Sequence, residues 1–169
     1  MRVGTVADIP ALHALIESAY RGNAARGGWT HEADLLTGQR TDPGQLAAFL
    51  ADPATLILMA EREGVLLGCV LVTDRGESAY LGLLSVAPHA QAAGLGSALL
   101  AAGEAQARAW GRAKIEITVV NRRPELIAWY ERRGYTLAGR SEPFPYSHGE
   151  FGVGLRDDLV LEVMEKGLG

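Results

Sequence analysis

Residues 81–100 constrain the fold of this chain more than any other stretch. They read LGLLSVAPHAQAAGLGSALL: an apolar run that ends before Pro88, a loop of small residues, and then apolar residues at helical spacing. A strand that leads through a glycine loop into a helix presents unpaired backbone N–H groups together with the positive end of the helix. Those two features can bind a phosphate group, which the glycines allow to approach the backbone closely. The stretch therefore predicts a strand–loop–helix unit that binds phosphate.

The composition limits the partners and the location. A chain of 169 residues can bury an ordinary core, and its formal net charge of −4 disfavours general binding to nucleic acid or to an anionic membrane. The single cysteine, Cys69, excludes an intramolecular disulfide, and its apolar neighbours indicate a buried structural thiol. The sequence shows no secretory leader and no membrane-spanning run. We expect a cytoplasmic protein whose partners include neither nucleic acid nor membrane.

The remaining periodicity predicts helices and strands in alternation. Helical spacing marks residues 9–20, 43–50, 94–110 and 124–133, and strand patterns mark residues 3–6, 55–61, 65–73, 78–86, 114–120, 135–140 and 159–165. Asp8 and Asp42 are the expected N-caps of the first two helices. Long polar connections over residues 21–42 and 141–157 are expected to border a substrate site. We expect one α/β (α+β) domain over residues 1–169, with a mixed, mostly antiparallel sheet of about six to seven strands flanked by helices.

Two well-known phosphate loops match the glycine segment poorly. A nucleotide P-loop has a lysine and a Ser or Thr after its second glycine, whereas Gly96 is followed by Ser97 and an alanine. A dinucleotide fingerprint has a third Gly or Ala where this chain has Leu99. A tight strand-to-helix turn without any ligand would use the same glycines. The loop taken by itself therefore leaves the ligand open.

A wider pattern is more specific. Gln91, Gly94 and Gly96 resemble the acetyl-CoA pyrophosphate loop of the GNAT superfamily of N-acetyltransferases. Asn121 follows the next strand, and residues 126–135 read LIAWYERRGY. Both are in register with the family's Asn, its apolar helix that ends in Tyr, and its Gly–aromatic pair. The resemblance implies a GNAT-like fold whose sheet splays in the middle, with acetyl-CoA as the co-substrate.

The resemblance also implies which residues hold the cofactor. The unpaired backbone before the loop would bind the pantetheine arm as a sheet edge binds an added strand. The implied cofactor-binding residues are Leu84, Ser85, Val86, Gln91, Ala92, Ala93, Gly94, Leu95, Gly96, Ser97, Asn121 and Tyr130. One departure concerns charge, because the family often places Gly and a basic residue where this chain has Ala92 and Ala93. We therefore expect pyrophosphate binding to depend on backbone N–H groups and the helix end.

Catalytic roles follow from the same resemblance. A backbone N–H near Leu84 would stabilise the oxyanion that forms on the thioester. Tyr130 would act as general acid towards the departing CoA thiolate. Simple packing of its helix is the alternative explanation of Tyr130, because it shares a face with Leu126 and Ile127.

The general base and the acceptor site are less constrained. Glu116 is the candidate base, acting through water, with Glu32 and Asp34 as alternatives. The candidate substrate-binding residues are Tyr20, Trp29, Glu32, Tyr80 and Tyr146, with Phe144 beside them. Carboxylates with aromatic walls would favour a cationic amine, whereas Arg122, Arg123 and Arg140 would favour an acceptor that carries a carboxylate.

The expected function is acyl-CoA-dependent N-acyl transfer. The acyl group is expected to be acetyl and the acceptor an amine of a small molecule or peptide, attacking directly in a ternary complex. The four histidines lack metal-ligand spacing, so we expect no metal and no covalent enzyme intermediate. A CoA-binding regulatory or structural module without turnover is the main alternative, and a nucleotide-binding protein is the second. Homodimer formation through the last strand and the preceding loop is left open.

Overall fold

The computed structural model of the protein describes residues 1–20, 36–37, 40–144, 153–154 and 157–169. In these ranges the helices are α1 (Ile9–Tyr20), α2 (Pro43–Ala51), α3 (Leu95–Ala109) and α4 (Pro124–Glu131), with 3-10 turns at Val6–Asp8 and Pro88–Ala93. The strands are β1 (Arg2–Val3), β2 (Leu36–Thr37), β3 (Thr55–Arg62), β4 (Val65–Asp74), β5 (Ala79–Val86), β6 (Lys114–Val120), β7 (Thr136–Pro143), β8 (Val153–Gly154) and β9 (Val160–Gly167).

Seven of these strands form one sheet, in the order β1-β3-β4-β5-β6-β9-β7. Neighbouring strands are antiparallel except β5 and β6, which run parallel. A parallel pair needs a crossover connection, and α3 supplies it between β5 and β6. This confirms the predicted fold class, a mixed and mostly antiparallel sheet flanked by helices.

The helices cover both faces of the sheet. On one face, Leu12 and Ile16 of α1 pack with Leu46 of α2 and with Cys69 of β4. On the other face, α3 and α4 pack against the alternate residues of β4 and against β5 and β6. Since both faces of β4 and β5 are buried, their nearly continuous apolar runs belong at the centre of the sheet, as the sequence predicts.

Local differences from the predicted elements lie near the N-terminus and in the long connections. Asp8 is not an N-cap: Thr5 is the cap residue, and the Asp8 carboxylate accepts from the Thr5 N–H at 2.7 Å as the far half of a capping box. Asp42 caps α2 as predicted, accepting from the Gln45 N–H at 2.8 Å. The pair β2–β8 joins the two long connections, and single-sequence patterns give no indication of such two-residue strands.

In the described part of the chain, no helix combines the length and the apolar character that a membrane span requires.

Candidate active site

The parallel strand pair opens into a cleft. β5 and β6 pair only at Ala79↔Ile115 and Tyr80↔Glu116, and no further pair joins them. Tyr20 lines the opening from the α1 side, and Tyr130 lines it from the α4 side. The splay implied by the sequence resemblance is therefore present. It leaves the β5 edge beyond Tyr80 without a paired strand on the β6 side, and an extended ligand could add to such an edge.

A bulge in β5 shapes the floor of this cleft. Cys69 pairs with Ser85 and Leu71 with Gly82, so β5 carries one residue more than β4 over this interval. Leu83 has a left-handed backbone with φ +50°, which is uncommon for a bulky residue and marks local strain. The Leu84 carbonyl accepts a hydrogen bond from the Tyr20 hydroxyl at 2.5 Å. Leu84, to which the sequence assigns the backbone role, therefore lies at a place where the ladder is interrupted.

Ser85 and Val86 are turned towards the protein interior. The Ser85 hydroxyl is fully buried and donates to the Leu83 carbonyl at 2.9 Å. The Val86 carbonyl accepts from Gln91 Nε2 at 3.0 Å, which ties the start of the loop to the end of β5. Side-chain contact of Ser85 with a ligand in the cleft is therefore excluded by burial, and only its backbone is left for the predicted role.

The loop before α3 ends in an uncapped helix N-terminus. Gly94 is the N-cap of α3, has φ +74°, and gives no side-chain cap. The first helical hydrogen bond runs from the Ala98 N–H to the Gly94 carbonyl. The N–H groups of the three residues before Ala98 therefore have no partner within the helix. A Cβ built at Gly94 meets nothing within 4 Å, so the space in front of the helix is open.

Arg133, which no sequence pattern assigns to the glycine loop, lies at this helix end. Its Nε and Nη2 donate to Ser97 Oγ at 3.0 and 2.8 Å, and its Nη1 donates to the Trp129 carbonyl at 2.8 Å. The guanidinium carbon lies 3.6 Å from the centre of the Trp129 ring. The chain therefore carries a cation at the glycine loop although the loop has none. Arg133 and Ser97 are 36 residues apart, so only the tertiary fold reveals their contact.

Tyr130 lies inside an aromatic cluster and also lines the cleft. Its ring makes edge contacts with Trp129 at 5.0 Å and with Tyr135 at 5.5 Å between centroids. Burial raises the pKa of the Tyr130 phenol far above its usual range, and Tyr20 and Tyr80 raise it further. Among the described residues, none hydrogen-bonds its hydroxyl. Tyr130 is therefore a neutral phenol that can donate a proton or a hydrogen bond into the cleft.

Asn121 is engaged with the start of β9. Its side-chain amide donates to the Asp158 carbonyl at 3.1 Å and accepts from the Val160 N–H at 3.1 Å. These bonds hold the ends of β6 and β9 together beside the cleft. The residue therefore has a structural role in addition to the cofactor contact that the resemblance implies, and that contact stays a prediction.

Glu116 is paired with two cations. Its carboxylate lies 3.0 Å from Lys114 Nζ and 3.0 Å from Arg140 Nη2. Burial by itself would raise its pKa, but the hydrogen bonds to Lys114 and Arg140 outweigh burial and leave the pKa lowered. A carboxylate with a lowered pKa is a weaker base. Glu116 is also absent from the residues that line the cleft, so the geometry does not favour the predicted base role.

A second cavity of about 550 Å³ lies outside the cleft, between the β3–β4 turn and the first turn of α3. The side of the cleft predicted to take the acceptor leads into a cavity of about 330 Å³ under α2. The two share four lining residues: Arg40, Tyr80, Gly82 and Leu83. The Tyr80 hydroxyl is 3.1 Å from that of Thr118, and the Arg75 guanidinium lies 4.1 Å from the centre of the Tyr80 ring. Tyr20 and Tyr80 are therefore brought together at the place where an acceptor could enter.

Other predicted acceptor residues are not brought to this place. Phe144 is buried in a small cluster with Val120, Leu159 and Leu161. Arg122 pairs with Asp158, Arg123 pairs with Glu125, and Arg140 pairs with Glu116. Trp29, Glu32, Asp34 and Tyr146 lie outside the described residues. Among the residues that are described, no group of three His, Cys, Asp or Glu side chains could hold a metal ion.

Comparison with known families identifies this arrangement. The family model described as Acetyltransferase (GNAT) family matches residues 11–135. The chain belongs to the GNAT acetyltransferase family. Family membership confirms the resemblance seen in the sequence, and with it acetyl-CoA as the co-substrate. A search of curated proteins finds no match.

Solved structures agree with the fold. A candidate acetyltransferase, yncA of Salmonella typhimurium, was solved with acetyl-CoA; it is 20% identical, with a TM-score of 0.71 over 99% of this chain and 92% of its own. The ribosomal-protein-alanine N-acetyltransferase of Brucella melitensis is 24% identical, with a TM-score of 0.70 over 98% of both chains. A nourseothricin acetyltransferase is 26% identical, with a TM-score of 0.60 over 70% of this chain and 68% of its own. The last two are named for different acceptors, a ribosomal-protein alanine and nourseothricin, so GNAT membership does not identify the amine.

The described residues fit acetyl-CoA. The β5 edge without a paired strand offers backbone groups to an extended arm, and the uncapped N-terminus of α3 offers N–H groups to a phosphate, with no atom within 4 Å of a Cβ at Gly94. Tyr130 faces the same cleft from the α4 side.

Proposed function

We propose that the protein is an N-acetyltransferase that transfers the acetyl group of acetyl-CoA to an amine by direct attack, with residues 1–169 acting as one domain. The observation that carries the proposal is the continuity of three features: the β5 edge, the bulge at Leu84 and the uncapped N-terminus of α3. A backbone edge, an interrupted ladder and free helix amides are each suited to one part of the same elongated ligand.

Acetyl-CoA supplies an activated acyl group, and the chain supplies position and hydrogen bonds. The backbone of Leu84 and Val86 would hold the arm, and the N–H groups from Ala92 to Ser97 would hold the diphosphate. The Tyr20 hydroxyl donates a hydrogen bond to the Leu84 carbonyl, which keeps the backbone at the bulge in one orientation. An N–H held there could stabilise negative charge on the thioester oxygen.

Tyr130 would donate a hydrogen bond to the sulfur of the leaving group. Its raised pKa keeps the phenol protonated over the whole working range of pH. Full transfer of a proton from a phenol to a thiolate is uphill, but a hydrogen bond in a dry site still stabilises the developing charge. Because Lys114 and Arg140 lower the basicity of Glu116, and because it does not line the cleft, we assign it no proton transfer.

The test is release of free thiol from acetyl-CoA across a panel of small amines, amino acids and peptides, with CoA binding measured in parallel. We expect release with at least one amine, together with mass-spectrometric evidence for its acetylated product. Initial rates at varied amine and acetyl-CoA should give intersecting lines, since both substrates bind before transfer.

Three outcomes would contradict the proposal. Tight CoA binding without thiol release from any amine would indicate a regulatory or structural module. Parallel initial-rate lines would indicate a covalent enzyme intermediate. Greater thermal protection by NAD or ATP than by CoA would indicate a nucleotide-binding protein.

A further inference from the structure

The diphosphate site of the proposed function lacks a charged side chain in its own loop. Ala92 and Ala93 are exposed and apolar, and Gly94 has no side chain. A diphosphate is doubly charged, and its hydrogen bonds are roughly twice as strong when the donor is also charged. A cation supplied by another element would therefore strengthen binding at this loop.

Arg133 is held rigidly at this place. A guanidinium has five N–H donors. Three of them are used, two on Ser97 Oγ and one on the Trp129 carbonyl, and the guanidinium carbon lies over the Trp129 ring. Two N–H groups are therefore left on a side chain whose orientation is already fixed, so little conformational entropy would be lost on binding.

Ser97 is converted into a donor by this contact. Its hydroxyl oxygen accepts twice from Arg133, which occupies both lone pairs. The hydroxyl hydrogen must then point elsewhere, and no described residue accepts it. Ser97 lies in the first turn of α3, beside the helix N–H groups that have no partner within the helix. The hydroxyl and the amides thus form one group of donors.

The charge of Arg133 is not neutralised within the described protein. Arg122, Arg123 and Arg140 each pair with a carboxylate, whereas no described carboxylate pairs with Arg133. A cation at a helix N-terminus is also unfavourable, because it faces the positive end of the helix dipole. A bound anion would neutralise the guanidinium and would also interact favourably with the positive end of the helix. If Arg133 only linked α4 to α3, a neutral side chain would serve as well.

We propose that Arg133, together with the Ser97 hydroxyl that it orients, binds the diphosphate of acetyl-CoA and replaces the basic residue that the loop lacks; this role rests on the proposed function. The cation reaches the site from the end of α4, so the cofactor is held between two helices. Arg133 directly follows Arg132, the C-cap of α4, and Tyr130 lies in the last turn of that helix. The diphosphate contact and the acid group are therefore positioned by α4 and the residue that follows its cap.

The test is direct binding, measured by calorimetry with CoA, dephospho-CoA and pantetheine. The last of these has neither phosphate nor diphosphate. We expect Arg133→Gln to lower the affinity for CoA and for dephospho-CoA by about ten- to one-hundredfold, which is the range for loss of one charge-assisted contact. Pantetheine should change by less than about twofold, because the lost contact is absent from it. Arg132→Gln is the matched control: the neighbouring arginine is exposed and undergoes the same change of charge.

Each alternative has its own outcome. If Arg132→Gln lowers the CoA affinity as much as Arg133→Gln does, the effect is a general one of net charge. If Arg133→Gln lowers the pantetheine affinity as much as the CoA affinity, the variant has a structural defect. Either result would overturn the proposal. Loss for CoA alone, with dephospho-CoA unchanged, would place Arg133 on the 3′-phosphate and would overturn it as well. Failure of the wild-type protein to bind CoA would overturn the proposed function itself. Wild-type binding with an unchanged Arg133→Gln variant would overturn only the role of Arg133.

Discussion

The two sides of the cleft are built in different ways. The proposed cofactor side would use backbone groups from elements that follow one another: β5, the loop, and the first turn of α3. The proposed acceptor side is lined by side chains from distant segments, such as Tyr20 at the end of α1, Arg40, and Tyr80 on β5. Backbone recognition tolerates side-chain changes, including the alanines at 92 and 93, whereas side-chain recognition changes with each substitution. A common co-substrate with varied acceptors is the expected result of this division.

The largest effect is expected from adding a negative charge at the proposed diphosphate site. Ser97→Asp places a carboxylate in the first turn of α3, next to Arg133. The fold should gain up to about 1 kcal/mol, because an acidic group is favourable at a helix N-terminus. CoA binding should fall by more than about one-hundredfold, because the carboxylate repels the diphosphate and occupies Arg133. Calorimetry and thermal unfolding would measure the two changes.

The opposite signs of these two changes make Ser97→Asp informative. Ser97→Ala serves as the control, since it removes the hydroxyl without adding charge. It should lower the CoA affinity by only about tenfold. A stabilised Ser97→Asp protein that still binds CoA normally would show that the diphosphate does not lie at this helix end.

Tyr130 lies on the proposed cofactor side, yet the role that we propose for it would depend on its side chain. Tyr130→Phe should lower kcat by about one-hundredfold, within the range for loss of a general acid, with little change in CoA affinity. Stability should hardly change, because no described residue hydrogen-bonds the lost hydroxyl. Steady-state kinetics together with thermal unfolding measure both.

Tyr135 provides the matched control for Tyr130. Its hydroxyl donates to Glu104 Oε1 at 3.2 Å inside the same aromatic cluster. Tyr135→Phe should therefore cost about 1 kcal/mol of stability and leave kcat unchanged. Equal losses of kcat in both variants would mean that the cluster packs the helix and that Tyr130 has no chemical role.

The acceptor side is tested by Tyr80→Ala. The ring borders the cavity under α2 and packs over Gly82, where an added Cβ would approach it to 2.9 Å. With the best amine of the panel, KM for the amine should rise about tenfold while the affinity for CoA stays within about twofold, because the ring is an acceptor wall. If KM for the amine and the dissociation constant for CoA rose by the same factor, Tyr80 would not belong to one side of the cleft alone.

The difference between the two sides also explains how much of the site the sequence predicts. The glycine loop, the splay and the family could be predicted, because local spacing determines a strand–loop–helix unit and its backbone geometry. The sequence predicts that Ser97 contacts the cofactor through its backbone N–H, whereas its hydroxyl acquires the proposed role only through Arg133. Nothing in the tandem Arg132–Arg133 pair shows which arginine turns towards α3. Tertiary contacts also bring Asn121 to the start of β9 and Arg140 to Glu116.

The smallest effect is expected for Glu116→Gln, which tests whether a carboxylate outside the cleft lining takes part in proton transfer. Against the opposing effect of burial, Lys114 and Arg140 lower the pKa of Glu116 in the folded state. A carboxyl with a lowered pKa stabilises the fold above its unfolded pKa, and this contribution is lost as pH falls through the folded value. The variant should therefore lose about 1 kcal/mol at neutral pH, and the loss should shrink in acid. If Glu116 is only a partner of Lys114 and Arg140, the acidic limb of the rate–pH profile should not change, because a carboxylate base would lose activity there by protonation. Unfolding and kcat/KM, both measured from neutral to acidic pH, separate the two roles. A changed acidic limb with normal stability would restore Glu116 as the general base, and would show that the acceptor side extends along β6 beyond the cleft that its lining residues define.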